Sequence, residues 1–89
     1  MSDQNVNKNI DKIFGSLRVL VDTVRDFRVV YLYYNGRKVG RMEYMVSSTP
    51  YQGEIKQLTS YKLDEPFMEL FEGVENPIKV LNSFVVMYV

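Results

Sequence analysis

Apolar residues recur at steps of three and four near the start of the chain: Val6, Ile10, Ile13, Phe14, Leu17, Leu20, Val21, Val24 and Phe27. On a helix turning 100° per residue they fall within an arc of about 140°, the width of a core-facing stripe. The spacing predicts a helix over residues 6–27, with Asn5 or Asn7 as its cap. Gly15 weakens that helix by about 1 kcal/mol relative to Ala. The β-branched cluster Val19, Val21, Thr23 and Val24 makes a strand over 17–24 the competing reading.

The pattern changes at residue 28. Val29-Val30-Tyr31-Leu32-Tyr33-Tyr34 is β-branched and aromatic, Asn35-Gly36 is a strong hairpin signal, and a second strand runs from Val39 to Ser47. A two-residue turn pairs Tyr34 with Arg37, Leu32 with Val39, Val30 with Arg41, and Arg28 with Glu43. That register puts Val29, Tyr31, Tyr33, Gly40, Met42, Tyr44 and Val46 on one face, with Lys38 near the turn. The nearly all-apolar composition predicts that this face lies under the helix. Arg28, Val30, Leu32, Tyr34, Arg37, Val39, Arg41, Glu43 and Met45 then form the outer face.

Ser47 to Gly53 has turn composition. Glu54 to Leu63 is expected as a third strand, although Ile55, Leu58 and Tyr61 also fit a short helix. Asp64-Glu65-Pro66 opens a short helix that Gly73 ends. Asn76-Pro77 breaks the chain, and residues 78–89 are expected as a last strand, apolar on both faces and so central or covered. The sum is an α+β fold: one two-layer domain over residues 1–89, in the order α-β-β-β-α-β. Its sheet is four-stranded and mainly antiparallel, with the helices packed on one face.

Composition narrows the chemistry. The 89 residues contain no Cys and no His. Disulfides, thiol nucleophiles, cysteine metal sites and His-based triads are thereby excluded. Ser47, Ser48 and Thr49 have no His to activate them, and no phosphate-binding or nucleophile-elbow motif occurs. No catalytic residue, cofactor or metal is expected. No apolar run reaches the 18–20 residues of a membrane span, and the polar N-terminus lacks the order of a secretory signal. This predicts a cytoplasmic protein, of the cell or of a host cell, with no membrane partner.

Eleven basic and eleven acidic residues cancel, but unevenly. Residues 1–45 hold eight Lys/Arg and five Asp/Glu; residues 46–89 hold three and six. Glu65, Glu69 and Glu72 share one face of the short helix. They are a candidate for Mg²⁺, weighed against a solvated surface that also suits the helix dipole.

The strongest functional lead is the outer hairpin face. Arg28, Val30, Leu32, Tyr34, Arg37, Val39, Arg41 and Met45 mix aliphatic, Tyr and Arg side chains, the composition of protein interfaces. With the helices on the other side, this face is expected to bind a partner protein, a second copy of the chain, or both; Glu65, Glu69 and Glu72 would add a charge-steered contact. A small non-catalytic interaction module results, of the size and composition of viral and phage accessory proteins or inhibitors. The alternative is a sequence-indifferent single-stranded nucleic-acid binder that uses the Tyr and Arg residues of the same hairpin.

Overall fold

The computed structural model describes residues 10–89. A helix, α1 (residues 10–16), runs directly into strand β1 (Leu17–Val24). Strands β2 (Phe27–Tyr34), β3 (Arg37–Thr49) and β4 (Gly53–Leu63) follow, and the four strands form one antiparallel sheet in chain order. Helix α2 (Glu65–Met68) continues into a 3-10 turn (Glu69–Phe71), and α3 (Pro77–Val85) is the last element. The buried side chains of all these helical segments join one core with the sheet, so they cover a single sheet face. The expected α+β class, the four-stranded antiparallel sheet and the one-sided helical layer all hold.

Two elements differ from expectation. The helix over 6–27 is a helix only to residue 16; Val6 and the caps Asn5 and Asn7 lie outside the described residues. From Leu17 the chain is strand, because the β-branched residues find a partner in β2. Leu17 pairs with Tyr34, Val19 with Leu32 and Val21 with Val30. The expected strand over 78–89 is instead helix α3. Asn76 caps it by accepting the Lys79 amide at 3.3 Å, and Pro77 fits its first turn. Leu81 and Val85, four apart, are both buried. The β-branched run Val85-Val86 falls at the helix end, where it costs little.

The hairpin turn at Asn35-Gly36 takes φ 52° and 80°, the pair of positive values expected for it. The register beyond the turn shifts by one residue, at a bulge that leaves Val39 unpaired. Tyr33 pairs with Lys38, but Leu32 pairs with Gly40, Val30 with Met42 and Arg28 with Tyr44. The Val39 carbonyl accepts the Asp64 amide at 2.8 Å, which ties the bulge to the start of α2. Gly40 leaves room here for Leu63: a Cβ would displace the Leu63 side chain and lie 3.1 Å from the Lys62 carbonyl oxygen. A second bulge, between Glu43 and Tyr44, leaves Thr59 unpaired on β4, and its hydroxyl donates to the Glu43 carbonyl at 3.1 Å.

The bulge corrects the expected faces of β2. Val30 and Leu32 are fully buried, and Val39 nearly so, while Met42 and Tyr44 are buried as expected. The helical layer is closed by a chain of aromatic rings. Tyr34 meets Phe67 at 5.8 Å, Phe67 meets Phe71 edge-on at 5.4 Å, Phe71 meets Phe14 at 6.4 Å, and Phe14 stacks on Phe84 at 4.2 Å. Such pairs add about 0.5–1.5 kcal/mol each beyond the area they bury. Lys56 reaches the C-terminal end of α3, where its Nζ donates to the Val86 carbonyl at 3.2 Å.

Tyr44 is the polar link between the layers. Its hydroxyl donates to Asn82 Oδ1 at 2.7 Å, from a fully buried ring. Burial pushes its pKa from 10.0 up to about 12. Between these values the folded chain keeps the proton that the unfolded chain releases, so stability is full below pH 10 and falls as the pH rises toward 12. At about 1.36 kcal/mol per unit, at most roughly 3 kcal/mol is involved. Tyr44→Phe is predicted to cost roughly 1–2 kcal/mol at neutral pH, from the lost hydrogen bond and the unpaired Asn82. It should also flatten the alkaline loss. Urea unfolding of both proteins across this pH window checks the prediction; equal alkaline losses would assign the effect to other groups.

Candidate functional site

The register orders the uncovered sheet face into rows. Arg18, Tyr33 and Lys38 lie side by side across β1, β2 and β3. The next row is Leu20, Tyr31, Arg41 and Lys62, and the next Asp22, Val29, Glu43 and Ser60. Val24, Phe27, Met45 and Gln57 follow, with Ser47 and Ile55 beyond them. The face therefore has two ends. One is cationic around two tyrosines; the other is apolar.

At the apolar end Val24, Phe27, Met45 and Ile55 are all exposed, Val24 by 52%. Leu20, exposed by 57%, stands at the border of the two ends. At the cationic end Tyr31 and Tyr33 are half-buried among longer neighbours. Lys38 Nζ sits 4.6 Å from the centre of the Tyr31 ring. Arg41 bonds Glu43 at 2.7 Å, and Ser60 Oγ donates to the same carboxylate at 3.1 Å. Lys38, Arg41 and Lys62 line a cleft of about 200 Å³ together with Gly40 and Asp64.

The eight residues expected to form a binding face are divided by the structure. Val30, Leu32 and Val39 are core and unavailable to a partner. Tyr34 and Arg28 lie on the helical side of the sheet. Tyr34 packs on Phe67, and the Arg28 guanidinium donates to the carbonyls of Arg25 and Phe27, both at 3.1 Å. Arg37 stands beside Asp64 at 3.5 Å, on the rim of a groove lined by Tyr34, Pro66, Phe67 and Leu70. Only Arg41 and Met45 lie on the open face, one at each end.

Leu20, Val24, Phe27, Val29, Tyr31, Tyr33, Ile55 and Lys62 were not anticipated there. One signal in the sequence distinguishes Tyr31 and Tyr33 on β2, while Phe27 and Val29 carry none. Val30 and Leu32 have no polar atom to satisfy, whereas the hydroxyls of Tyr31 and Tyr33 favour an edge in water. The β1 residues carry no such signal once 17–24 is read as helix.

Glu65, Glu69 and Glu72 are exposed around Met68 on the outside of the helical layer, away from the open sheet face. Among the described residues no group of three or more carboxylates converges on a metal-sized site. No described helix is long and apolar enough to cross a membrane. No protein-family model, curated protein or solved structure matches the chain.

The inverted faces of β2 give a direct test. Val30→Asp places an unpaired charge in the core and should abolish folding or cost at least about 3 kcal/mol. Tyr33→Asp, on the open face, should keep the fold and cost less than about 1 kcal/mol. Circular dichroism melts of the two variants check this; the opposite order of stabilities would reverse the assignment of the faces.

Proposed function

We propose that the protein is a small non-catalytic interaction module that docks a partner protein on the apolar end of its open sheet face. A second copy of the same chain is the simplest such partner. The observation that carries this reading is the exposed group Val24, Phe27, Met45 and Ile55, contributed by all four strands and left uncovered by the helices. A contiguous apolar patch on a small domain marks a contact site, and Phe and Met are enriched in such patches. Asp22 and Glu43, in the row that borders it, supply the charged rim that selects a partner and sets the encounter rate.

The non-catalytic assignment rests on composition, since a chain without His or Cys lacks the commonest general base and the strongest nucleophile. A binding face without catalytic machinery suits an accessory or inhibitory role toward a larger assembly in the cytoplasm of a cell or host cell, as in viral and phage accessory proteins.

Phe27→Asp with Met45→Asp tests the reading. Both side chains are partly exposed and pair across β2 and β3, so the fold should be kept at a cost of roughly 1–2 kcal/mol from the lost pair and the facing charges. Sedimentation over a range of concentrations should show association of the wild type and a monomeric variant. If the wild type is monomeric, the partner is a different protein, and the same two substitutions should abolish its capture from host extract. Association or capture that survives both substitutions overturns the proposal.

A further inference from the structure

We propose that the cationic end of the open sheet face binds single-stranded nucleic acid without regard to sequence. Tyr33 lies between Arg18 and Lys38, and Tyr31 lies between Leu20 and Arg41 with Lys62 beyond. The two tyrosines are separated by one residue on a central strand, so they face the same way at about 7 Å spacing. Each offers a flat ring for a base, and the cations on both sides lie where a strand crossing the sheet would carry its phosphates. The cleft that Lys38, Arg41 and Lys62 line together with Asp64 would seat one phosphate, three cations outweighing one carboxylate. Lys38 covers the Tyr31 ring in the free protein at 4.6 Å. A stacking base takes its place and frees the ammonium for the backbone.

Charge complementarity favours a polyanion over a neutral partner. Four cations, Arg18, Lys38, Arg41 and Lys62, stand on this end of the face. The acids beside them are Glu43, bonded to Arg41, Asp22 in the same row as Glu43, and Asp64, which shares the cleft and stands 3.5 Å from Arg37. The balancing negative charge includes Glu65, Glu69 and Glu72 on the outside of the helical layer, so a molecule of zero net charge still presents a positive side. The tyrosine pair favours a single strand over a duplex or an acidic peptide, because only unpaired bases bring faces to stack on the half-buried rings. Stacking on a tyrosine ring accepts any base and the cations face the backbone, hence the indifference to sequence. The site shares the open face with the protein-docking patch but uses different residues, so either function can fail alone.

Fluorescence anisotropy of the full chain with a labelled oligothymidylate of about 12 nucleotides tests the proposal. Binding should weaken between about 50 and 200 mM salt with a log–log slope of roughly −2 to −3, from three to four phosphate contacts. Lys38→Glu with Arg41→Glu should weaken binding at least about tenfold and flatten that slope by roughly 1.4. Lys38→Gln with Arg41→Gln replaces this pair if it does not fold. Tyr33→Ala should weaken binding by about five- to a hundredfold with the slope unchanged, and Tyr33→Phe should restore it. Phe27→Asp with Met45→Asp should leave this binding intact, which separates it from the docking of a protein. Three results each overturn the proposal: no binding at about 50 mM salt, equal affinity for the matching duplex, or equal affinity for polyglutamate with no effect of Tyr33→Ala.

Discussion

The one-residue slip at Val39 governs the rest of the molecule. Side chains alternate across a strand, so a hairpin with uninterrupted pairing would put Val30 and Leu32 on the same face as Arg41 and Glu43. That arrangement would bury charges or expose aliphatic side chains. Leaving Val39 unpaired brings Val30 opposite Met42 and Leu32 opposite Gly40, so the aliphatic residues Val30 and Leu32 turn inward with Met42. Gly40 makes the shift compatible with β4, because Leu63 folds across the place where a Cβ would stand. The free Val39 carbonyl receives the Asp64 amide, so the same irregularity positions α2. Tyr31 and Tyr33 stand outside as a direct consequence.

The second constraint is the supply of material for covering the sheet. Only α1, α2 with its 3-10 turn, and α3 are available in the described chain, and their rings link from Tyr34 to Phe84 on one side. Tyr44 fastens that layer to the sheet through Asn82, a buried hydrogen bond whose loss would leave an unpaired amide. The opposite face then meets solvent with Val24, Phe27, Met45 and Ile55 uncovered. An antiparallel sheet tolerates one wet face, but such faces are normally polar. Here one end is and the other is not.

That division supports the functional reading. The apolar end has the makeup of a protein contact, and the cationic end has rings flanked by Arg and Lys side chains. Both lie on rigid strands, where side chains hold their geometry better than on loops. Complementary charge would govern the encounter at the cationic end, and desolvation of apolar area the residence at the other.

Local signals in the sequence were sufficient for much of the fold. Asn35-Gly36 determined the hairpin, and the helical segment after Asp64 followed from Pro66 and Gly73, although the Asp64 side chain makes no cap bond; residues 54–63 fitted a strand or a short helix, and pairing with β3 selected the strand. The absence of His and Cys by itself limits the chemistry open to the chain. Three further things were decided only in the tertiary structure. Residues 17–24 suit helix and strand alike, and pairing with β2 selected the strand. Residues 77–85 are largely apolar with a β-branched share that suits a strand, yet the Asn76 cap and a sheet in need of cover made them helix. The face assignment of β2 turned on a bulge whose one local sign is Gly40 and whose advantage is the burial of residues far apart in the chain. Periodicity reports which residues share a face; which of two faces is buried depends on what else the chain can lay against it.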